Sequence, residues 1–144
     1  LARPARDLRE GERRDEGLWT WTGRVEGRAD ALCVYLECGS VVALLDPVVP
    51  PEDPERFLRA LDRDVERFGG GVRIALTETG KSDAAAELAE RYGAPVWRPG
   101  DAEPLPDGLV PLRVDAARVV FWIEAHATLF SGEVAVRVVP GSKP

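Results

Sequence analysis

Few side chains in this sequence have the types and spacing that catalysis needs. The 144 residues include one histidine, His126, and two cysteines, Cys33 and Cys38. Neither cysteine has a basic neighbour in the sequence, and no serine has local support as a nucleophile. His126 is therefore interpreted as a solvent-facing turn residue rather than a general base, and no catalytic residue is assigned.

The segment Gly80-Lys81-Ser82 has the composition of an anion-binding loop, because it lies between an apolar run and a helical pattern. A complete phosphate-binding loop also needs a glycine five residues before Gly80, where this sequence has Ala75. Lys81 and the first amides of the helix could still hold a single anion. The alternative, which we favour, is that Ser82 or Asp83 caps that helix.

The elements that position these residues follow from apolar periodicity. Trp19 and Trp21 alternate with threonines and predict a strand with both tryptophans facing the core. Apolar residues three and four apart predict two helices, one starting at Pro54 after Asp53 and ending at Gly69, the other covering 84–92 before Gly93. Apolar runs predict further strands over 31–37, 41–45, 72–76, 96–97, 109–114, 118–123, 128–130 and 134–139.

Length and charge limit the classes of function. The chain is long enough for one domain with its own core, which we expect over residues 18–144 after a flexible N-terminal arm over 1–17. A net charge of −6 argues against general binding of nucleic acid or anionic membranes. Cys33 and Cys38 are five apart in a predicted strand, so they should lie on opposite faces and not pair. With no apolar run that could cross a bilayer, a reducing cytoplasm is expected.

Several stretches resemble the metallo-β-lactamase superfamily over about two thirds of the chain. They are 121–133, Leu44-Leu-Asp-Pro47, and Ala75-Leu-Thr77 followed by 84–97. The resemblance implies an α/β (α+β) fold, a metallo-β-lactamase-like αβ/βα sandwich. It also implies an incomplete sandwich, since few residues follow Glu133.

In that family, zinc ligands follow a strand ending in Leu-Thr, in a His-x-His-x-Asp-His loop. Carried over from Thr77, the histidine positions fall on Glu78, Gly80 and Asp83, and the aspartate position on Ser82. Glu133 takes the place of the aspartate that bridges two metals, and residues 112–117 lack the Gly-His-Thr motif that supplies a further ligand. No metal ligand and no zinc cofactor are therefore assigned. The ligand-binding candidates are Glu78, Gly80, Lys81, Ser82, Asp83 and Glu133.

The resemblance and the missing histidines together predict a non-hydrolytic binding or scaffold domain for an unknown small-molecule ligand. The alternative is a metal-dependent hydrolase whose remaining ligands lie in segments that this sequence does not include. A homodimer is also expected, because an incomplete sandwich would expose a sheet face, which we predict to carry Trp19, Trp21, Phe121 and Trp122.

Overall fold

The computed structural model describes residues 12–24 and 31–139, and these fold into two β-sheets and two helices. The helices are α1 (Pro54–Phe68) and α2 (Asp83–Tyr92). The first sheet contains β1 (Glu12–Asp15), β2 (Leu18–Gly23), β3 (Ala31–Cys38), β4 (Val41–Leu45), β5 (Gly71–Ala75) and β6 (Val96–Trp97). The second contains β7 (Leu109–Asp115), β8 (Arg118–Ile123), β9 (Thr128–Phe130) and β10 (Ala135–Arg137).

The first sheet changes from antiparallel to parallel at β4. Strands β1 to β4 pair antiparallel in sequence order, whereas β5 pairs parallel to β4 and β6 parallel to β5. The parallel steps need crossover connections, which α1 and α2 provide. Leu45 is the register partner of Ala75, so the loops that follow β4 and β5 begin side by side.

Local sequence signals set both helices. Asp53 accepts a hydrogen bond from the backbone nitrogen of Arg56, and Pro54 opens α1, where its missing N–H costs nothing. Gly69 and Gly93 end the helices in the left-handed conformation that glycine adopts without strain. The predicted helices and their ends are confirmed.

The helices cover one face of the first sheet, and the second sheet covers the other. Trp21 packs against Phe57 of α1 with ring centroids 5.2 Å apart, in a core that also includes Leu61 and Leu88. On the opposite face, residues of β3 and β4 pack against the second sheet, which contributes Leu109, Val119, Phe121, Ile123 and Phe130. The described residues thus form three layers, with the first sheet in the middle.

Strand β3 shows why the central strands of the first sheet are mostly apolar. Cys33 and Tyr35 contribute to the core beneath the helices, whereas Val34, Leu36 and Cys38 contribute to the core between the sheets. Because successive side chains point to opposite faces, a strand buried on both sides must be continuously apolar. The cysteines lie on opposite faces and are both free, as predicted, and both are buried.

The prediction that one exposed sheet face carries all four of these aromatic residues, Trp19, Trp21, Phe121 and Trp122, was wrong. Trp19 and Trp21 are buried beneath the helices, and Phe121 is buried between the sheets. Of the four residues, Trp122 alone is on the outer side of the second sheet, because it is adjacent in sequence to Phe121 and points the opposite way.

Two further expectations concern the N-terminal arm and membrane-spanning segments. Residues 12–15, within the range assigned to an N-terminal arm, form β1 and pair with β2, and residues 1–11 lie outside the described residues. In the described part of the chain, neither helix has the length and apolar character needed to cross a membrane.

Candidate functional site

The loops after β4 and β5 are joined by a carboxylate that is hydrogen-bonded twice by one residue. Asp46 directly follows β4, and its Oδ1 accepts a 2.8 Å hydrogen bond from the backbone nitrogen of Thr77. The Thr77 hydroxyl donates a 2.6 Å hydrogen bond to Oδ2 of the same carboxylate. Because β4 and β5 are parallel neighbours in matching register, these two strand ends necessarily meet.

A third loop, after β9, packs onto this pair. Gly132 has a φ of 93°, and a Cβ atom at this position would lie 2.9 Å from Oδ2 of Asp46 and 3.0 Å from Oγ1 of Thr77. The Gly132 carbonyl also accepts a 3.2 Å hydrogen bond from the backbone nitrogen of Leu32. Glycine is needed here for both its conformation and its size. The neighbouring candidate, Glu133, is exposed on this loop.

The loop between β5 and α2 is held at its start by the second sheet. The Thr77 carbonyl accepts a 2.8 Å hydrogen bond from the backbone nitrogen of Val119, and the Thr79 nitrogen donates to the Ala117 carbonyl at 2.9 Å. Glu78 forms an isolated β-bridge with Arg118. These contacts bring the loops that carry Glu78 and Glu133 to the same edge of the sandwich.

The rest of this loop leads into α2 and caps its N-terminus. Ser82 adopts an extended conformation and its Oγ accepts a 3.1 Å hydrogen bond from the Ala85 nitrogen. Asp83 is the first residue of α2, where its negative charge is favourable. The capping interpretation is therefore confirmed for Ser82. The Gly80 carbonyl accepts a 3.3 Å hydrogen bond from Nε of Arg98, and Lys81 is exposed.

The prediction that His126 is a solvent-facing turn residue was wrong. His126 is in a short 3₁₀ turn between β8 and β9, and only 8% of it is exposed. The chain after β10 crosses this turn, since the Val138 nitrogen donates a 2.7 Å hydrogen bond to the Ala127 carbonyl. The turn is therefore packed against a later segment of the chain.

His126 is also far from the candidate site. Strand β8 begins at Arg118, beside Glu78, and His126 follows its other end. Six residues of strand at about 3.3 Å each place the two ends roughly 17 Å apart. The sole histidine of the sequence therefore lies beyond the opposite end of strand β8.

The side chains at the site do not fit a zinc ion. Zinc sites in proteins use imidazole or thiolate groups together with carboxylates. Each carboxylate oxygen of Asp46 is already hydrogen-bonded by Thr77. Burial raises the pKa of the Cys33 thiol to about 12 and also raises that of Cys38, which disfavours the thiolate form that binds metal. Across residues 12–24 and 31–139, no three His, Cys, Asp or Glu side chains group to hold a metal.

Asp46, Thr77 and Gly132 form the junction, although the sequence alone predicts no site role for them. A signal was present, because Asp46 and Thr77 each follow an apolar run where a buried strand ends. A polar side chain at such a point often contacts the neighbouring loop. Which loop it contacts depends on strand order, which these short motifs do not specify.

Comparison with known proteins identifies the fold. No family model matches the sequence, and no curated protein matches it. Among solved structures, DIM-1 metallo-β-lactamase exposed to ceftazidime has a TM-score of 0.53 and 14% identity, over 84% of this chain and 68% of that chain. The apo chemotaxis sensor ODP from T. denticola has a TM-score of 0.49 and 14% identity, over 84% and 61%. TMB-1 has a TM-score of 0.43 and 14% identity, over 85% and 68%. The similarity to DIM-1 and the two-sheet architecture show that this protein has the metallo-β-lactamase fold.

Proposed function

We propose that this protein is a binding or scaffold domain that uses the metallo-β-lactamase fold without zinc-dependent hydrolysis. The observation that carries the proposal is the junction of Asp46, Thr77 and Gly132. The carboxylate at the end of β4 is held by two hydrogen bonds from Thr77 and enclosed by Gly132. Its role is to fix three loops relative to one another, which is a structural role.

The remaining side chains that could bind a metal support the same conclusion. Glu78, Asp83 and Glu133 are exposed carboxylates, and carboxylates alone bind hard cations better than zinc. His126, the sequence's only imidazole, lies beyond the far end of strand β8. A zinc ion at this edge would lack the nitrogen ligands that make its bound water acidic enough for hydrolysis.

The proposed binding surface is the group of loop residues fixed by this junction. It presents carboxylates and one ammonium group on a rigid base, since the loops are tied to both sheets. A small polar ligand or a polar segment of another protein suits this mixed charge. The surface consists of Glu78, Gly80, Lys81, Ser82, Asp83 and Glu133.

Metal analysis tests the proposal. The full chain would be incubated with zinc, freed of excess by gel filtration, and analysed by inductively coupled plasma mass spectrometry alongside a Glu78→Gln/Asp83→Asn double variant. We expect far less than one zinc per chain in both proteins. Stoichiometric zinc in the native protein would overturn the proposal.

The double variant then distinguishes two sources of zinc ligands. If the variant loses the metal, the loop after β5 supplies zinc ligands. If the variant keeps the metal, the ligands are side chains other than those of Glu78 and Asp83. In either case the hydrolase hypothesis would replace the binding-domain hypothesis.

A further inference from the structure

A groove, here called the edge groove, opens between β7 and the loop over 98–108. Its volume is about 400 Å³, and the described residues that line it belong to one continuous stretch, from Trp97 at the end of β6 to Pro111 on β7. Strand β6 is at an edge of the first sheet and β7 at an edge of the second, so the groove lies where the two sheets end. It shares no residue with the proposed binding surface.

The walls of the edge groove are mainly apolar. Trp97 and Leu109 are buried members of the core between the two sheets, and Leu105 packs against the same core. Proline side chains complete the apolar lining, and the fixed φ of proline restricts the backbone that carries them. These prolines are Pro104, Pro106 and Pro111.

The loop that forms the groove is held through its backbone carbonyl groups. The indole nitrogen of Trp97 donates a 3.0 Å hydrogen bond to the Glu103 carbonyl. The Cys38 thiol donates to the Asp107 carbonyl, at a distance of 3.0 Å from Sγ. Because both donors belong to strands of the first sheet, the groove is formed without a ligand, and a preformed site loses little free energy in ordering its loop on binding.

Carboxylates are the only charged groups that the described residues contribute to the lining. They belong to Asp101, Glu103 and Asp107, which are all exposed. Oδ2 of Asp101 accepts a 2.8 Å hydrogen bond from the backbone nitrogen of Arg98. Glu103 and Asp107 form no salt bridge within the described part of the chain. The edge groove therefore presents negative charge that no lining side chain pairs.

Two arginines approach the loop without lining the groove. Nη2 of Arg73 donates a 2.6 Å hydrogen bond to the Pro104 carbonyl, and Nε of Arg98 donates a 3.3 Å hydrogen bond to the Gly80 carbonyl. Each guanidinium group is thus directed at a backbone oxygen. A positively charged ligand would meet Glu103 and Asp107 without displacing an internal ion pair.

The size of the groove favours a small molecule over a polypeptide. Small-molecule sites have volumes of roughly 300–1,000 Å³ and combine apolar walls with a few polar groups, as the edge groove does. A specific protein interface needs roughly 20–30 residues on each side, whereas eleven described residues line this groove. A bare metal ion would use the carboxylates but leave the apolar walls in water. Charge and lining together fit a ligand that has both a cationic group and an apolar body.

We propose that the edge groove binds a small organic cation, with an ammonium or amidinium group beside Glu103 and Asp107 and an apolar body against Trp97 and Leu109. This binding does not depend on the proposed function, because the two sites have no residue in common. The carboxylates are exposed, so salt screens their attraction for the ligand. Binding should therefore weaken as ionic strength rises.

Titration of the full chain with two probes of similar shape tests this proposal. Benzamidinium is positively charged at pH 7, whereas benzyl alcohol is neutral. Binding would be followed by the chemical shifts of backbone amides in two-dimensional NMR spectra. We expect benzamidinium to shift the amides of residues 103–109 with a dissociation constant of roughly 1 mM at low salt, and benzyl alcohol to bind at least about tenfold more weakly.

A double variant, Glu103→Gln/Asp107→Ser, tests the two carboxylates directly. It removes both charges and keeps the backbone carbonyls that hold the loop. We expect the dissociation constant for benzamidinium to rise roughly tenfold. The matched control is Glu87→Gln/Glu90→Gln, which removes two exposed carboxylates from α2, on the opposite face of the first sheet. This control should bind like the native protein, and circular dichroism should show that both variants are folded.

Three results would overturn the proposal. The first is the absence of shifts at residues 103–109 with benzamidinium at about 10 mM, ten times the expected dissociation constant. The second is equal affinity for the two probes, because the carboxylates would then contribute nothing. The third is equal weakening in both double variants, because the attraction would then come from the net charge of −6 rather than from the groove.

Discussion

Substitution of Gly132 by alanine should destabilise the protein through contact with the Asp46–Thr77 pair. The added methyl group would lie 2.9 Å from Oδ2 of Asp46 and 3.0 Å from Oγ1 of Thr77. The carboxylate has little room to move, because Thr77 holds both of its oxygens. Relieving the overlap therefore requires either a broken hydrogen bond or displacement of the loop over 131–133.

The cost of the steric contact can be separated from the cost of backbone strain by comparison with a second glycine of similar conformation. Gly100 has a φ of 95°, close to the 93° of Gly132, but a Cβ atom there would meet nothing within 4 Å. Both alanine variants carry the cost of an unfavourable backbone conformation, about 1 kcal/mol or more. Only Gly132→Ala carries the cost of overpacking, typically about 1–3 kcal/mol. We expect Gly132→Ala to be less stable than Gly100→Ala by about 2 kcal/mol.

Urea denaturation followed by tryptophan fluorescence measures this difference, and thermal unfolding should give a Tm lower by roughly 4–8 °C. Both variants should keep the native far-ultraviolet circular dichroism spectrum. Equal stability of the two variants would mean that the loop over 131–133 does not pack against the Asp46–Thr77 pair.

Three further predictions concern buried polar groups. Thr77→Val removes the hydroxyl that donates to the Asp46 carboxylate, and should lower the free energy of unfolding in urea by about 1.5–3 kcal/mol. Asp64→Asn should raise the Tm at pH 7, because Asp64 is only 1% exposed, burial raises the pKa of its carboxyl group, and its Oδ2 has no hydrogen-bond partner among the described residues. Cys33 and Cys38 should resist iodoacetamide at pH 8 in the folded protein and react after unfolding, because burial raises the pKa of both thiols.

The predictions for Thr77 and for the cysteines can each be contradicted by one measurement. Thr77→Ser keeps the hydroxyl and should lose only about 1 kcal/mol for the methyl group; a loss equal to that of valine would show that the hydrogen bond contributes nothing. Rapid alkylation of the native protein would show that the thiols are accessible.

For Asp64, the sign of the pH dependence is the control. Its folded-state pKa lies above the ordinary value of 3.8, so the folded protein binds more protons than the unfolded chain just above that pH, and stability falls as pH rises. The advantage of Asp64→Asn should therefore disappear in acid. Asp62, two residues earlier, has a lowered pKa because Arg91 and Tyr92 donate hydrogen bonds to it. Asp62→Asn should destabilise the protein at pH 7, and a stabilising effect would contradict the assignment.

Local sequence patterns were sufficient to predict most elements of this fold. Both helices are specified by apolar residues three and four apart and by caps at Asp53, Ser82, Gly69 and Gly93, which act within a few residues of the backbone groups they satisfy. Strands β2 to β10 follow from apolar runs or from apolar–polar alternation, whereas β1, which has no apolar residue, was not predicted. The opposite orientation of the two cysteines follows from strand geometry alone. The resemblance of short motifs to the metallo-β-lactamase superfamily predicted how these elements assemble.

The environment of individual side chains depended on contacts between distant segments. The run from Val119 to Ile123 is apolar at every position, so its pattern cannot indicate that Phe121 is buried and Trp122 outward. Packing of the second sheet on the first decides that difference. His126 is buried in a turn whose next residue, Ala127, is hydrogen-bonded by the chain after β10. Asp46, Thr77 and Gly132 meet because parallel pairing aligns the ends of β4 and β5 and the second sheet packs beside them. Short-range hydrogen bonding and periodicity therefore specify most elements and both helix caps, whereas contacts between distant segments set the burial of side chains and the geometry of the candidate site.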